Sequence, residues 1–269
     1  MPTSFDQRLI IHSRRFTQEG TQMRAAIEYA LSAPGKRLRP KFVQEVAQKV
    51  GLNEAVTDYL AYSIEMVHQF SLIHDDLPCM DNDDFRRGLP TTHKKFNEGQ
   101  ALLAGDTLLS IAYETLFLCS EHVAPAHLLS AVTHFSSCLG AFGMMGGQSL
   151  ELETPSPSRE TLMKIHEMKT TALFRAAILM PLLMKGEARG SENFKKHDDY
   201  AHAFGFAFQI ADDLEDEAQD AAQMTKNILS LSPDRESARK LALDRLKSSP
   251  IGSQFSNTAL LVQKLQSIK

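Results

Sequence analysis

The chain has 269 residues, 43% hydrophobic and 23% charged, with a formal net charge of -4 and a sequence pI of about 6.2. That composition supports a sizeable core and excludes a disordered chain. The mild negative charge offers no global field to recruit nucleic acid or an anionic membrane, so any basic site must be local.

In chain order, the stretch Met1–Gly20 is interrupted by Asp6, Arg8, Arg14 and Arg15 and reads as no signal peptide. Apolar residues then recur at three- and four-residue spacing with little strict alternation. The pattern predicts helices at Gln18–Leu31, Pro40–Val50, Glu54–Asp75, Gly99–Cys119, Pro125–Leu150, Ser158–Lys185, Glu192–Glu217, Pro233–Lys247 and Ser253–Gln266. Asn53 can cap the third of these, Pro125 suits a first helical turn, and Ser158 with Thr161 offers another start. Gly35, Pro78, Gly88-Leu-Pro90 and Thr154-Pro-Ser-Pro157 mark loops. The longest apolar run, Phe174 to Met184, is broken by Arg175 and Pro181. It is too short to span a bilayer, and no stable membrane insertion is expected. Cys79, Cys119 and Cys138 are odd in number and lack CxxC spacing, as suits reduced thiols in a cytoplasmic protein. With no internal repeat or linker, the expectation is one all-α domain, residues 1–269: a bundle of long helices with a polar cavity between facing helices.

Two acidic clusters carry the chemistry. Asp75-Asp76-Leu-Pro-Cys-Met-Asp81 runs into Asp83, Asp84, Arg86 and Arg87, and Asp212-Asp213-Leu-Glu-Asp216 recurs far downstream. Two unit charges about 4 Å apart repel by roughly 4 kcal/mol at an effective dielectric of 20. Divalent cations would remove that repulsion and leave coordination sites for phosphate oxygens. The second cluster also puts acids at a helix C-terminus, where the macrodipole disfavours them. Gln209 sits one turn before Asp212, and His68 two turns before Asp75 on nearly the same face. Lys36, Arg37 and Arg39 crowd a helix entrance, a ready anion site. Lys169-Thr170 and Lys226 can add charge from other sides. Taken singly, these features also suit a solvated acidic turn, a basic surface stretch and snorkelling lysines. Gly143-Met-Met-Gly146-Gly147-Gln148 marks a close backbone approach or a kink.

Gly35-Lys-Arg-Leu-Arg-Pro40, the run from His68 through Asp75-Asp76 and Asp81 to Gly88, Gly146-Gly-Gln148, Lys169-Thr170 and Phe208-Gln-Ile-Ala-Asp-Asp213 occur in this order. Together they resemble the trans-isoprenyl diphosphate synthases, or polyprenyl synthetases, notably bacterial farnesyl and plant-like geranylgeranyl diphosphate synthases. The resemblance covers about Ala30 to Lys226. It implies the isoprenoid synthase fold, long helices around a central cavity, usually as a homodimer. It implies about three Mg2+ ions per site, with Asp75, Asp76 and Asp81 holding two of them and Asp212, Asp213 and Asp216 the third. Arg86, Lys169 and Lys226 would contact an allylic diphosphate. Lys36, Arg39, His68 and Arg87 would hold isopentenyl diphosphate. Thr170 and Gln209 would line the place where the allylic cation forms, and Phe70 and Ser71 would set chain length. An aromatic at Phe70 resembles the farnesyl-forming pattern, with a C20 product as the alternative, although simple helical geometry turns Phe70 away from the face of Asp75.

Departures from the family pattern accompany the matches. After the second cluster, the family's Gly-Lys and Gly-x-Asp stretch is reduced to Thr225-Lys226-Asn-Ile-Leu-Ser230, about a dozen residues shorter. Glu215 replaces the usual apolar residue inside the second motif, and Glu151 stands where aspartate is common. The shortened loop raises the alternative of a weakly active or regulatory subunit. A terpene cyclase, needing no second substrate, and a metal phosphohydrolase built on His74-Asp75 are further alternatives.

Overall fold

The computed structural model describes residues 4–216 and 234–268. It is helical almost throughout, as the periodicity predicts; its described strands are a two-residue pair, β1 (Phe85–Arg86) and β2 (Leu89–Pro90), joined antiparallel. The residues group into two compact units, 1–40 with 54–122 and 41–53 with 123–269.

The first unit contains α1 (Phe5–Ser13), α2 (Gln22–Ser32), α4 (Glu54–Asp75), the β1–β2 hairpin, α5 (Thr92–Lys95) and α6 (Glu98–Phe117), with a 3-10 turn at Leu118–Glu121. Helix α4 packs chiefly on α6, burying Leu60, Ile64, Val67 and Ile73 with Ala101, Ala104, Leu108 and Ile111. The predicted span of α4 matches the observed one. Helix α1 was not foreseen, yet its start is legible: Ser4 and Gln7 form a reciprocal capping box, worth about 1 kcal/mol. Asn97 caps α6 by accepting from Gln100 N at 2.8 Å.

Helix α3 (Leu38–Val50) begins in the first unit, and its residues from Lys41 belong to the second. The second unit also contains α7 (Pro125–Leu139), α8 (Met144–Glu153), α9 (Arg159–His166), α10 (Ala172–Met184), α11 (Glu192–Asp216), α12 (Arg235–Ser248) and α13 (Ser256–Ser267). Its core is aromatic: Phe42 meets the rings of Phe174, Tyr200, Phe204 and Phe255, and Tyr200 stacks on Phe255 at 4.6 Å. Pro125 and Ser158 start α7 and α9 as expected.

Two predicted helices are divided. Pro125–Leu150 breaks after Leu139, where Gly140 turns extended and the glycine pair at 140 and 143 offers no helix-favouring side chain. Ser158–Lys185 is interrupted by a π-helical turn, Glu167–Thr171, a form that appears mostly as a single turn inside an α-helix. Glu98–Glu121 and Pro125–Glu153 are long and apolar enough to cross a membrane by length and composition, a test that core helices also pass; 44% of each tested window is buried in the protein. The predicted ends at Glu217 and Pro233 lie outside the described residues.

Candidate active site

The first unit gathers one half of the predicted residues. Helix α4 ends at Asp75, and the chain turns back at once: Asp81 N donates to the Asp75 carbonyl at 2.9 Å, and Met80 and Asn82 N both donate to the Leu77 carbonyl. Asp76 is buried and Asp81 exposed. Arg86, on β1, donates Nε–H to Asp76 Oδ1 at 2.5 Å and Nη2–H to Asp83 Oδ2 at 3.2 Å. Burial raises the Asp76 carboxyl to about 6, against the pull of Arg86 and with the help of Asp83 and Asp75.

Beside this turn stand the basic residues. Arg87, with φ +54°, donates to the Pro34 carbonyl at 2.8 Å. Gly35 lies against the guanidinium groups of both Arg87 and Arg37. Arg39 Nη1 approaches His68 Nε2 at 3.5 Å, and Lys36 is exposed. Burial holds His68 well below its ordinary pKa, reinforced by Arg39, Arg87, Arg37 and Arg86. His68 is therefore a neutral ring among cations, able to donate one N–H to an anion.

Arg37 plays a part the sequence reading did not assign. It adopts φ +48° and turns inward, 8% exposed, onto Glu65, 2% exposed, at 2.5 Å. Its other nitrogens donate to Asp6 and to the Leu31 and Ala33 carbonyls. One side chain thus ties α1, the end of α2 and α4 together beneath Lys36 and Arg39. The only signal in the sequence was three cations too close together for all to face one ligand.

Phe70 is buried and meets the His74 ring edge-on at 4.7 Å. His74 in turn reaches the Leu102 carbonyl on α6 at 3.0 Å. His74, one turn after Phe70, thus lies on the side of α4 that packs on α6. Ser71 Oγ donates to the His68 carbonyl.

The second unit holds the other half. Lys169 and Thr170 ride on the π turn. Lys169 Nζ pairs with Glu151 on α8 at 2.7 Å. Thr170 Oγ1 donates to Gln209 Oε1 at 3.0 Å, and Gln209 Nε2 donates to Asp213 Oδ1 at 2.9 Å. The turn is wedged between two glycines: an added Cβ at Gly147 would lie 2.7 Å from Lys169 N, and one at Gly205 would lie 2.4 Å from Thr171 Oγ1. The Gly146-Gly147 signal in the sequence thus has a physical basis in close backbone approach.

Asp212 is held by Lys264 of α13, whose Nζ lies 2.7 Å from Asp212 Oδ1 and 2.9 Å from Glu215 Oε2. No motif marked Lys264. Its ammonium gives the acidic end of α11 an internal counter-charge in this structure. The same holds for Arg86 at Asp76. Asp216 closes α11, but its side chain and all of Lys226 lie outside the described residues.

Among the described residues, no three acidic, histidine or cysteine side chains form a ready-made metal cage. The available donors are carboxylate oxygens, hard ligands suited to Mg2+, which is ordinarily bound through one or two carboxylates plus substrate phosphates. The crowding of Asp83 and Asp75 on Asp76 is the kind of charge such an ion relieves. In donor type the residues fit the ion.

The polyprenyl synthetase family model matches residues 21–230. Over 247 residues the chain is 36% identical to farnesyl diphosphate synthase of Escherichia coli, covering 86% of this chain and 82% of that protein. Over 203 residues it is 41% identical to the chloroplastic geranylgeranyl pyrophosphate synthase 3 of Arabidopsis thaliana, covering 73% of this chain but only 56% of the plant protein. A geranyltransferase structure from Legionella pneumophila superposes with a TM-score of 0.84 at 31% identity, covering 98% of this chain and 93% of that one.

Proposed function

The chain belongs to the polyprenyl synthetase family, and on that premise we propose that it is a Mg2+-dependent short-chain prenyltransferase. It joins isopentenyl diphosphate to dimethylallyl or geranyl diphosphate, gives farnesyl diphosphate and releases pyrophosphate. One observation carries the reading: Arg39, His68 and Arg87 gather around the Gly35 loop immediately beside the Asp75–Asp81 turn. An anion site next to a carboxylate set suits two diphosphates, one held by cations and the other through metal ions.

On this reading Asp75, Asp76 and Asp81 of one set and Asp212, Asp213 and Asp216 of the other hold the Mg2+ ions. When bound, these ions stabilise the negative charge on the departing diphosphate. Arg86 and Lys169 exchange their carboxylate partners for phosphate oxygens, and Lys226 joins them. The carbon–oxygen bond breaks, its electron pair leaving with pyrophosphate. Thr170 has committed its hydrogen to Gln209, so the lone pairs of its oxygen are free to face the allylic cation. Lys36, Arg39, Arg87 and neutral His68 hold isopentenyl diphosphate, whose double bond attacks the cation to form the new carbon–carbon bond. A proton then passes to the released pyrophosphate. The chemistry requires that water, which would quench the cation, be kept out.

The aromatic residue at Phe70, which resembles the farnesyl-forming pattern, is the ground for choosing the C15 product over C20. The test is incubation of the purified chain with Mg2+, isopentenyl diphosphate and each primer in turn, followed by product chromatography. Farnesyl diphosphate as the end product supports the reading. A C20 end product refutes the assignment of length, and no elongation with any primer refutes the catalytic reading in favour of a regulatory subunit.

A further inference from the structure

Glu215 departs from the family pattern, and Lys264 is the residue that meets it. Glu215 adds an acid within the second motif where the family pattern has an apolar residue, and Lys264 adds a base that reaches it from α13 at 2.9 Å. The same ammonium lies 2.7 Å from Asp212 Oδ1. It is 17% exposed, and its nitrogen stands 5.8 Å from the centre of the Phe208 ring.

A metal on Asp212 and this ammonium are alternatives. Mg2+ binds a carboxylate oxygen at about 2.0–2.1 Å. With Lys264 on the same oxygen, a divalent and a univalent cation would stand only about 4–5 Å apart, where repulsion is strong. The lysine stem is long and flexible, so its head can swing to solvent from the last turn of α13.

We propose that Lys264 is a tethered counter-ion of the second carboxylate set, one that a divalent ion must displace and that therefore sets how much metal the protein needs. The proposal rests on the reading of Asp212 as a metal ligand. Glu215 is the second half of the device: it holds the ammonium in place, and its loss weakens the competitor.

The test is a Mn2+ titration followed by electron paramagnetic resonance, with inorganic pyrophosphate present. The full chain carries D75N, D76N and D81N so that the second set alone is read, and circular dichroism checks helix content. Lys264→Met should tighten Mn2+ about tenfold or more, and Glu215→Gln should tighten it a few-fold. Asp212→Asn should abolish Mn2+ binding in every background. Equal affinity with and without Lys264, with Asp212→Asn still abolishing binding, overturns the counter-ion role and leaves the metal assignment standing. No Mn2+ binding even in Lys264→Met overturns both.

Discussion

The π turn that carries Lys169 and Thr170 is held by contact, and Gly147→Ala puts that to a quantitative test. On propensity alone, alanine in helix α8 should stabilise the protein by about 1 kcal/mol. Against this, the new methyl would lie 2.7 Å from Lys169 N, 2.9 Å from Met168 Cβ and 3.1 Å from Lys169 Cα. Ordinary contact begins near 3.5 Å, so the turn must retreat by roughly 0.5–1 Å, and two of the three atoms are backbone. Overpacking of this kind costs about 1–3 kcal/mol. Overpacking wins, with a net loss of about 1 kcal/mol, or a Tm drop of about 2–4 °C for a chain of this size. The effect on turnover should be larger, because a misplacement of about 1 Å can cost about 100-fold; kcat should fall about 10- to 100-fold. Thermal denaturation and steady-state kinetics read the two numbers. Gly190→Ala, where nothing lies within 4 Å of the added methyl, serves as the control and should change stability by less than about 0.5 kcal/mol. A Gly147→Ala protein that is more stable than the parent and turns over normally would refute the wedge.

Arg37→Met strands the buried Glu65 carboxylate and should cost about 3–5 kcal/mol in urea denaturation, while Arg37→Met with Glu65→Leu should recover much of that loss; no recovery would refute the pairing as the source. Phe70→Ala should lengthen the product, seen by chromatography, and lower stability by about 3–5 kcal/mol because the ring is buried; an unchanged product removes Phe70 as the determinant. His134 is lowered to about 4 by burial first and by Arg175 and Arg189 next. Its folded pKa lies below the unfolded value of about 6.5, so its stabilisation is complete above pH 6.5 and lost as pH falls toward 4, about 2 kcal/mol by pH 5 relative to pH 7.5. His12 and His166 are lowered to about 4 by burial as well, so His134→Gln should reduce the slope of that part of the stability–pH curve in urea melts by His134's share, and an unchanged slope would count against the assignment.

The sequence by itself determined the fold class, most helix spans and the identity of the two carboxylate sets. These rest on local physics: apolar spacing sets a helix face, Asn97 and Ser158 set helix starts, and like charges in a row declare a need for a counter-charge. Glu54–Asp75 was legible to the residue because both ends carry strong punctuation. The tertiary structure decided what spacing cannot encode. The π turn at Glu167–Thr171 is accommodated by Gly147, which admits its backbone, and by Gly205, which admits the Thr171 side chain, and no periodicity within the turn announces that. Arg37 and Arg39 are two apart in the same basic run, yet one is a buried tie to Glu65 while the other meets His68; the difference lies in which way the left-handed residue at 37 turns. Lys264 shows the limit most plainly. It lies 52 positions from Asp212, in a segment with no motif, and only the packing of α13 on α11 brings its charge to the acid it neutralises.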